Sequence, residues 1–149
     1  MLFSAKPALL RPEEINALSE TISLAEKGTS GEIRLYMEGR CSYVDPQIRA
    51  QEIFVQLGMH RTHYRNGLLI YIAYLDHDFA LIGDKGIFEV AEPGFWAAQA
   101  RALGKSFHHK QYLAGIRDCV MACGDLLRRH FPGHEDDKNE LPDEIVFRK

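Results

Sequence analysis

Three oxygen-bearing side chains lie next to glycines in separate segments of the chain, and their chemistry suits a hard metal ion. Glu32 follows a glycine, Asn66 precedes one, and Asp84 lies within the run Gly83–Gly86. Carboxylate and amide oxygens, with the backbone carbonyls that glycine turns expose, are the ligands that Ca²⁺ or Mg²⁺ prefers. These residues form a predicted divalent-cation site. The alternative is simple turn chemistry, because such glycine segments are common in loops and no linear metal motif is present.

A second acidic group lies at the carboxyl ends of the first two predicted strands, and consists of Glu38, Asp76 and Asp78. Open α/β sheets usually bind ligands at the carboxyl ends of their parallel strands, which favours this group. Against it, Asp-His-Asp suffices as a solvated hairpin turn. A strand of eight residues spans roughly 26 Å at ~3.3 Å per residue, so one ion cannot contact both groups. The two groups are therefore alternatives.

Two basic residues that closely precede Asn66 could bind an anion such as a phosphate. They are His63 and Arg65, and a guanidinium is a good partner for phosphate oxygens. The serines show no nucleophile-elbow pattern, and the chain has neither a phosphate-binding glycine loop nor a dinucleotide fingerprint. Nucleotide-dependent chemistry is therefore not expected.

The elements that would position these residues begin with three strands. Glu32–Glu38 alternates apolar and polar residues and predicts a half-buried strand, with its charged residues and Tyr36 on the outer face. Leu68–Leu75 is nearly all apolar and predicts a strand buried on both faces. Phe79–Ile82 returns after the turn at Asp76–Asp78, which predicts a hairpin.

A helix separates the first two strands. It begins at Asp45-Pro46, where aspartate caps the helix and proline suits its first turn, and it ends at Gly58. Strand, helix, strand predicts a crossover and a parallel pair, which brings Glu32 to the same edge of the sheet as Asn66 and Asp84. Three more helices are predicted, over Pro12–Lys27, Pro93–His109 and Gln111–His130. The predicted fold class is α/β, a small mixed sheet with helices on its faces.

Size and charge limit the function classes. With 149 residues and 46% apolar composition, the chain predicts one domain over residues 1–133, followed by a polar tail over 134–149. Ile145 and Phe147 are the tail residues that could dock on that domain. The formal charge of −3 and the scattered basic residues argue against nucleic acid as a partner.

Cytoplasmic localisation is expected from two features. The amino-terminal segment has no signal-peptide pattern, and no apolar run approaches the ~20 residues of a membrane span. The three cysteines, Cys41, Cys119 and Cys123, form no metal-binding pattern with a second ligand pair. They are predicted to be buried, reduced thiols, as is usual in cytosolic proteins.

Several short segments resemble the TPM domain family, named after a thylakoid lumen protein, a photosystem II repair protein and a nematode receptor modulator. The resemblance covers roughly Pro12 to Ile145, with the pieces in the family's order. The matching pieces are Thr29-Ser30-Gly31-Glu32-Ile33, Arg65-Asn66-Gly67-Leu68-Leu69-Ile70, Phe79-Ala80-Leu81-Ile82-Gly83-Asp84-Lys85-Gly86-Ile87, Phe95-Trp96, Tyr112-Leu113-Ala114-Gly115-Ile116 and Asn139-Glu140-Leu141-Pro142-Asp143-Glu144-Ile145.

The resemblance implies a three-layer α/β/α sandwich around a mixed sheet, a divalent-cation site in the loops, and an acid phosphatase activity reported for some members. The family's Gly-Glu, Asn-Gly and Gly-Asp-x-Gly pieces match Glu32, Asn66 and Asp84, which favours the first site over the second. Many members carry a signal segment and a membrane anchor, and this sequence shows neither. It therefore resembles the short, free-standing bacterial form. Lys85 departs from the pattern of many exported members, and it would repel a cation if it pointed inward.

Two functions follow as hypotheses. The first is a non-catalytic interaction or assembly module, which binds a protein partner and uses a Ca²⁺ or Mg²⁺ ion to stabilise its loops. The second is a metal-dependent phosphomonoester hydrolase acting on a phosphorylated small molecule, with the ion at Asp84, Glu32 and Asn66 and the phosphate at Arg65 or His63. The first is preferred, because the sequence lacks the convergent acid, base and nucleophile that a hydrolase usually displays.

Overall fold

The computed structural model describes residues 9–133 and 145–148. The helices are α1 (Pro12–Glu26), α2 (Pro46–Gln56), α3 (Lys85–Val90), α4 (Phe95–His108) and α5 (Tyr112–His130). The strands are β1 (Glu32–Glu38), β2 (Gly67–Ala73), β3 (Asp78–Gly83) and β4 (Ile145–Arg148), and a 3₁₀ turn covers Met59–Arg61. The predicted elements are all present, with ends that move by one or two residues.

The four strands form one mixed sheet in the order β3-β2-β1-β4. β1 and β2 run parallel, with Glu32 beside Gly67, and β3 is antiparallel to β2. The crossover helix α2 makes the parallel pair possible, because strands that run in the same direction need a long connection. The predicted α/β class and the direction of the strands are therefore confirmed.

Two apolar cores lie on opposite faces of the sheet, and together they make the three-layer arrangement. On one face, residues such as Leu35 and Ile70 pack against residues of α1, α4 and α5, including Leu18 and Val120. On the other face, residues such as Tyr71 pack against α2 and the 3₁₀ turn. The alternation of side chains along each strand supplies both faces.

The first strand is buried along its whole length, so the prediction of a half-buried strand is wrong. Its three charged residues are all buried: Arg34 is 1% exposed, Glu32 3% and Glu38 5%. Their alternation was interpreted as a solvated face, but each of these charges has a charged partner inside the protein. Paired charges tolerate burial that isolated charges do not.

Two elements extend the predicted architecture. β4 pairs in parallel with the second half of β1, with Ile145 beside Leu35 and Phe147 beside Met37. The rest of the polar tail lies outside the described residues. α3 replaces the predicted loop after Gly83; it is a short helix capped by the Asp84 side chain, which accepts from the Lys85 backbone N–H.

The described ranges also bear on the expectations about membrane spans and about the cysteines. No helix there combines the length and the apolar composition that crossing a bilayer requires. All three cysteines carry free thiols: Cys119 and Cys123 are buried in α5, and Cys41 is half-buried.

Candidate functional site

The parallel register places the three predicted ligands at one end of the strands. Glu32 starts β1 and pairs with Gly67, the residue after Asn66. The Glu32 backbone N–H donates to the Asn66 carbonyl at 3.3 Å, and the Asp84 backbone N–H donates to the Gly67 carbonyl at 2.9 Å. Three segments that are far apart in sequence therefore meet at the amino-terminal end of the parallel pair. We call the cluster Ser30, Glu32, Arg65, Asn66 and Asp84 the loop cluster.

Asp84 is the most heavily bonded member of the loop cluster. Arg65 donates from Nε to Oδ2 at 2.7 Å and from Nη2 to Oδ1 at 2.9 Å, and the Lys85 backbone N–H donates to Oδ1 at 2.7 Å. The carboxylate is buried, whereas the Arg65 side chain is 48% exposed. The bonds to Asp84 raise the pKa of the Arg65 guanidinium above its ordinary value. Asp84 thus binds one cationic group already, at the mouth of the site.

Backbone geometry holds Arg65 in this position. Its φ of 52° lies in the left-handed region, which a residue with a Cβ adopts only rarely. Gly86 lies directly against the same segment: a Cβ there would come within 2.3 Å of the Tyr64 carbonyl oxygen and 2.8 Å of the Arg65 carbonyl oxygen. The Gly86 backbone N–H donates to the Arg65 carbonyl at 2.9 Å. Glycine at this position lets the start of α3 pack closely against the Arg65–Asn66 turn.

Asn66 has an oxygen without a hydrogen-bond donor. The residue is 0% exposed, its Nδ2 donates to the Ser30 Oγ at 3.1 Å, and its backbone N–H donates to the Thr62 Oγ1 at 3.1 Å. Its Oδ1 is buried and accepts no hydrogen bond from the residues described. A buried polar atom without a partner is unusual and calls for a ligand, an ion or a water.

Glu32 is held by the buried side chain of Arg34. Arg34 Nη2 donates to Glu32 Oε1 at 3.1 Å, and Arg34 Nη1 donates to Glu26 Oε2 at 3.3 Å. Arg34 Nη1 also donates to the Ile33 carbonyl at 2.7 Å, and Glu26 Oε2 accepts the Ile33 backbone N–H at 2.7 Å. These side chains therefore satisfy the edge of β1 where β4 does not reach.

The two predicted anion contacts are both exposed, and Arg65 is the one that the structure places in the loop cluster. His63 is exposed, and its ring packs edge-on against Tyr64 with centroids 4.5 Å apart. Arg65 faces both solvent and Asp84, so an anion would share it with that carboxylate. Lys85 is exposed and contributes its backbone N–H to the cap of α3.

The second acidic group lies at the opposite end of the strands. Glu38 accepts from Arg49 Nε at 2.9 Å, from Arg49 Nη2 at 3.0 Å and from the Tyr71 hydroxyl at 2.5 Å. Asp76 accepts from Arg40 at 2.8 Å and from the Cys41 backbone N–H at 2.8 Å. Both carboxylates therefore have partners within the protein, and the remaining member, Asp78, is exposed at the start of β3.

Burial and hydrogen bonds set the ionisation of that group. Burial alone would raise the pKa of Glu38, but the hydrogen bonds from Arg49 and Tyr71 outweigh it and leave the pKa below its ordinary value. Burial, with the bond to Glu38, raises the pKa of the Tyr71 phenol. Sequence reasoning missed Arg49 and Tyr71, because an apolar strand and an amphipathic helix give no sign of which polar residues they bring together.

The described part of the chain contains no group of three or more His, Cys, Asp or Glu side chains arranged to hold a metal ion. The loop cluster supplies two carboxylates and one amide oxygen, and arginines contact both carboxylates. The unpartnered Asn66 Oδ1 fits a cation, whereas the Arg65 guanidinium competes with one.

Comparisons with known proteins agree with this architecture. The family model described as TPM domain matches residues 5–126. The NMR structure of the BA42 protein from the psychrophilic bacterium Bizionia argentinensis is 37% identical, with a TM-score of 0.85, over 97% of this chain and 99% of that chain. No protein with a curated function matches the chain.

Two further solved structures share the fold at lower identity. The amino-terminal domain of a protein from P. gingivalis is 15% identical with a TM-score of 0.69, over 87% of this chain and 85% of that chain. An amino-terminal domain from Corynebacterium glutamicum is 13% identical with a TM-score of 0.62, over 79% of this chain and 74% of that chain. Because a family model covers most of the chain and a relative is similar along nearly all of it, this chain belongs to the TPM domain family.

Proposed function

We propose that this chain is a non-catalytic interaction or assembly module whose loop cluster binds one divalent cation, Ca²⁺ or Mg²⁺. The ligands in this proposal are Asn66 and Asp84, with Glu32 as a further ligand. The observation that carries the proposal is the buried Asn66 Oδ1, which lacks a donor among the described residues. Leaving such an oxygen unsatisfied costs about 1–3 kcal/mol, and a bound cation would recover that cost.

The three ligands differ in how readily they can turn to an ion. Asp84 is buried, but its arginine is half exposed, so Arg65 can move into solvent at a cost of about 1 kcal/mol or less. Glu32 is harder to free, because the side chain of Arg34 is only 1% exposed and would lose its partner inside the protein. Asn66 needs no rearrangement. Asp84 is therefore the ligand on which ion binding depends most.

Thermal unfolding with and without the ion tests the proposal. CaCl₂ or MgCl₂ at about a hundred times its Kd should stabilise the protein by roughly 2.7 kcal/mol relative to NaCl of equal ionic strength. For a chain of this size that is a rise in Tm of about 5–10 °C. Asp84→Asn should abolish the rise, and Arg65→Gln should enlarge it by removing the competing cation. Arg61→Gln, a change of another exposed arginine in the same loop, is the matched control and should leave the rise as it is. If neither ion raises the Tm of the wild type or of Arg65→Gln, the cation site is wrong.

A second candidate is hydrolysis of a phosphomonoester, and Arg65 is the observation that favours it. Its guanidinium is half exposed beside a buried carboxylate, and the exposed His63 precedes it by two residues in the sequence. The matching family model also carries the word phosphatase in its name. The test is release of p-nitrophenol from p-nitrophenyl phosphate by the same purified sample, with Mg²⁺ or Ca²⁺ present. Turnover that disappears in Asp84→Asn would replace the non-catalytic proposal with the hydrolase.

The proposed compartment is the cytoplasm. All three cysteines carry free thiols, and reduced thiols persist in reducing compartments. Alkylation of the protein in intact cells, compared with alkylation after lysis under reducing conditions, tests this. Thiols found oxidised in the cell would contradict it.

A further inference from the structure

In the part of the chain that the structure describes, one edge of the sheet is open. β3 is the outermost strand on this side of the sheet, and β2 is the strand next to it. Asp84 bonds directly across to Gly67, so the alternating antiparallel ladder turns the backbone groups of Ile82 and Ala80 toward β2 as well. The backbone groups of Phe79, Leu81 and Gly83 therefore point away from the sheet.

These outward N–H and C=O groups have almost no hydrogen-bond partners within the described residues. The one bond to them comes from the Gln47 side chain, whose Nε2 donates to the Leu81 carbonyl at 3.1 Å. An amide N–H in this position is the group that a neighbouring strand would supply. β3 carries a charged residue, Asp78, at its start, but from Phe79 to Gly83 it contains no charge, no proline and no break in its register, so this part lacks the usual protection of an edge strand.

Helices rise on both sides of this edge and make it the floor of a groove. The groove has a volume of about 560 Å³ and runs between α2 and α4. Gln47 and Gln51 line one wall, and Trp96, Ala97 and Ala100 line the other. None of the described residues that line it is charged, and one of them, Phe88, is 70% exposed. A groove with walls on both sides receives a single strand more readily than the edge of a second sheet.

We propose that this groove binds an extended, uncharged and largely apolar segment of a partner protein, which adds to the sheet as a strand next to β3. The outward backbone groups of Phe79, Leu81 and Gly83 would bond to the segment, and alternate side chains would enter the apolar walls. The neutral lining selects against charged segments, because a charge would lose its hydration there without gaining a partner. The inference rests on the proposed interaction role but not on the cation site, so the two can fail separately.

The test is amide hydrogen exchange measured by NMR on the whole protein. The probe is the peptide acetyl-Ser-Val-Thr-Val-Thr-Val-Ser-amide, and the control peptide has its three central residues replaced by proline, which has no N–H to donate. At about ten times the Kd of the probe, exchange should slow roughly tenfold at Phe79, Leu81 and Gly83. Ala80 and Ile82, which already bond to β2, should change little. The proline peptide should have no effect.

A pair of variants separates this groove from any other surface. Ala100→Lys places a charged side chain in the groove and should abolish the slowing, whereas Ala102→Lys, at another exposed position of the same helix, should leave it intact. Both changes lie on the surface of α4 and spare the core.

Several results would overturn the inference. The outward amides could already be protected in the free protein, or the probe could leave their exchange unchanged. The probe could also slow exchange at other amides instead, or slow it equally in the two variants. Protection that rises with protein concentration alone, together with a dimer in sedimentation, would identify a second copy of this chain as the occupant instead.

Discussion

The two ends of the parallel strand pair both gather charged residues, but they satisfy them differently. At the carboxyl end, Glu38 receives two bonds from Arg49 and one from Tyr71, and both arginine and carboxylate are nearly buried. At the amino end, Asp84 is paired with a half-exposed arginine, and Asn66 keeps an unsatisfied oxygen. Within the described residues, the first arrangement satisfies its charges, whereas the second leaves one buried oxygen without a hydrogen bond. Acidic composition alone therefore does not distinguish a structural cluster from a candidate site.

The largest effect is expected from breaking the completed cluster. Glu38→Ala leaves Arg49 charged and buried, with its ion pair to Glu52 and its contact with the Tyr43 ring remaining, and should lower the free energy of unfolding by about 3–5 kcal/mol. Urea unfolding measures this. Glu89→Ala, at an exposed position, is the control and should change stability by less than about 0.5 kcal/mol.

A double change sharpens the same prediction. Glu38→Leu with Arg49→Met replaces the pair by apolar groups and should recover most of the lost stability, because neither charge is left alone. If the double variant is as unstable as Glu38→Ala, the loss comes from packing and not from the unpaired arginine.

A smaller loss is expected from Tyr71→Phe. This change removes the hydroxyl that donates to Glu38 at 2.5 Å and keeps the ring, so it should cost about 1.5–3 kcal/mol at neutral pH. Urea unfolding again gives the value. Tyr64→Phe, on an exposed ring, provides the control.

The pH dependence of the same variant has a definite sign. The folded pKa of Glu38 lies below its ordinary value of 4.5, so the carboxylate stabilises the fold above that pH, and this contribution disappears as the pH falls through the folded pKa. Tyr71→Phe removes one of the bonds that lower this pKa. The loss of stability between pH 5 and acid should therefore be smaller in the variant than in the wild type. An equal loss in both would show that Tyr71 does not hold the ionised form.

The smallest effect is expected at the other end of the strands. Arg65→Gln breaks the ion pair with Asp84, yet it should cost only about 1 kcal/mol, because the guanidinium is half exposed, the glutamine amide can still donate to the buried carboxylate, and Asp84 keeps its bond from the Lys85 backbone N–H. Urea unfolding without divalent ions measures this, with Arg61→Gln beside it. A loss as large as that of Glu38→Ala would mean that Arg65 is structural and that the two ends do not differ.

Much of the fold follows from local patterns in the sequence. The apolar run of β2, the aspartate-proline start of α2 and the Asp-His-Asp turn are enough to predict a parallel pair with an added hairpin. That order alone brings Glu32, Asn66 and Asp84 to one edge. α3 was missed because it is short and contains Gly86, although the capping aspartate before it was a usable signal.

The partners of the charged residues could not be predicted in the same way. The alternation in β1 is typical of a strand with one solvated face, and only tertiary structure shows that Arg34 and Glu38 find partners on α1 and α2. The same holds at the loop cluster, where the bond from Arg65 to Asp84 joins residues 19 apart in sequence. Residue type and spacing predict which groups meet, but not which of them neutralise each other.

The pairing of β4 with β1 has a consequence for how this protein is made. These strands are neighbours in the sheet although residues 39–144 lie between them in the sequence. During synthesis, the backbone groups of β1 from Leu35 to Glu38 that face β4 stay unpaired until Ile145–Arg148 has emerged from the ribosome. We therefore expect this side of β1 to stay open to chaperone capture or aggregation until β4 has been synthesised.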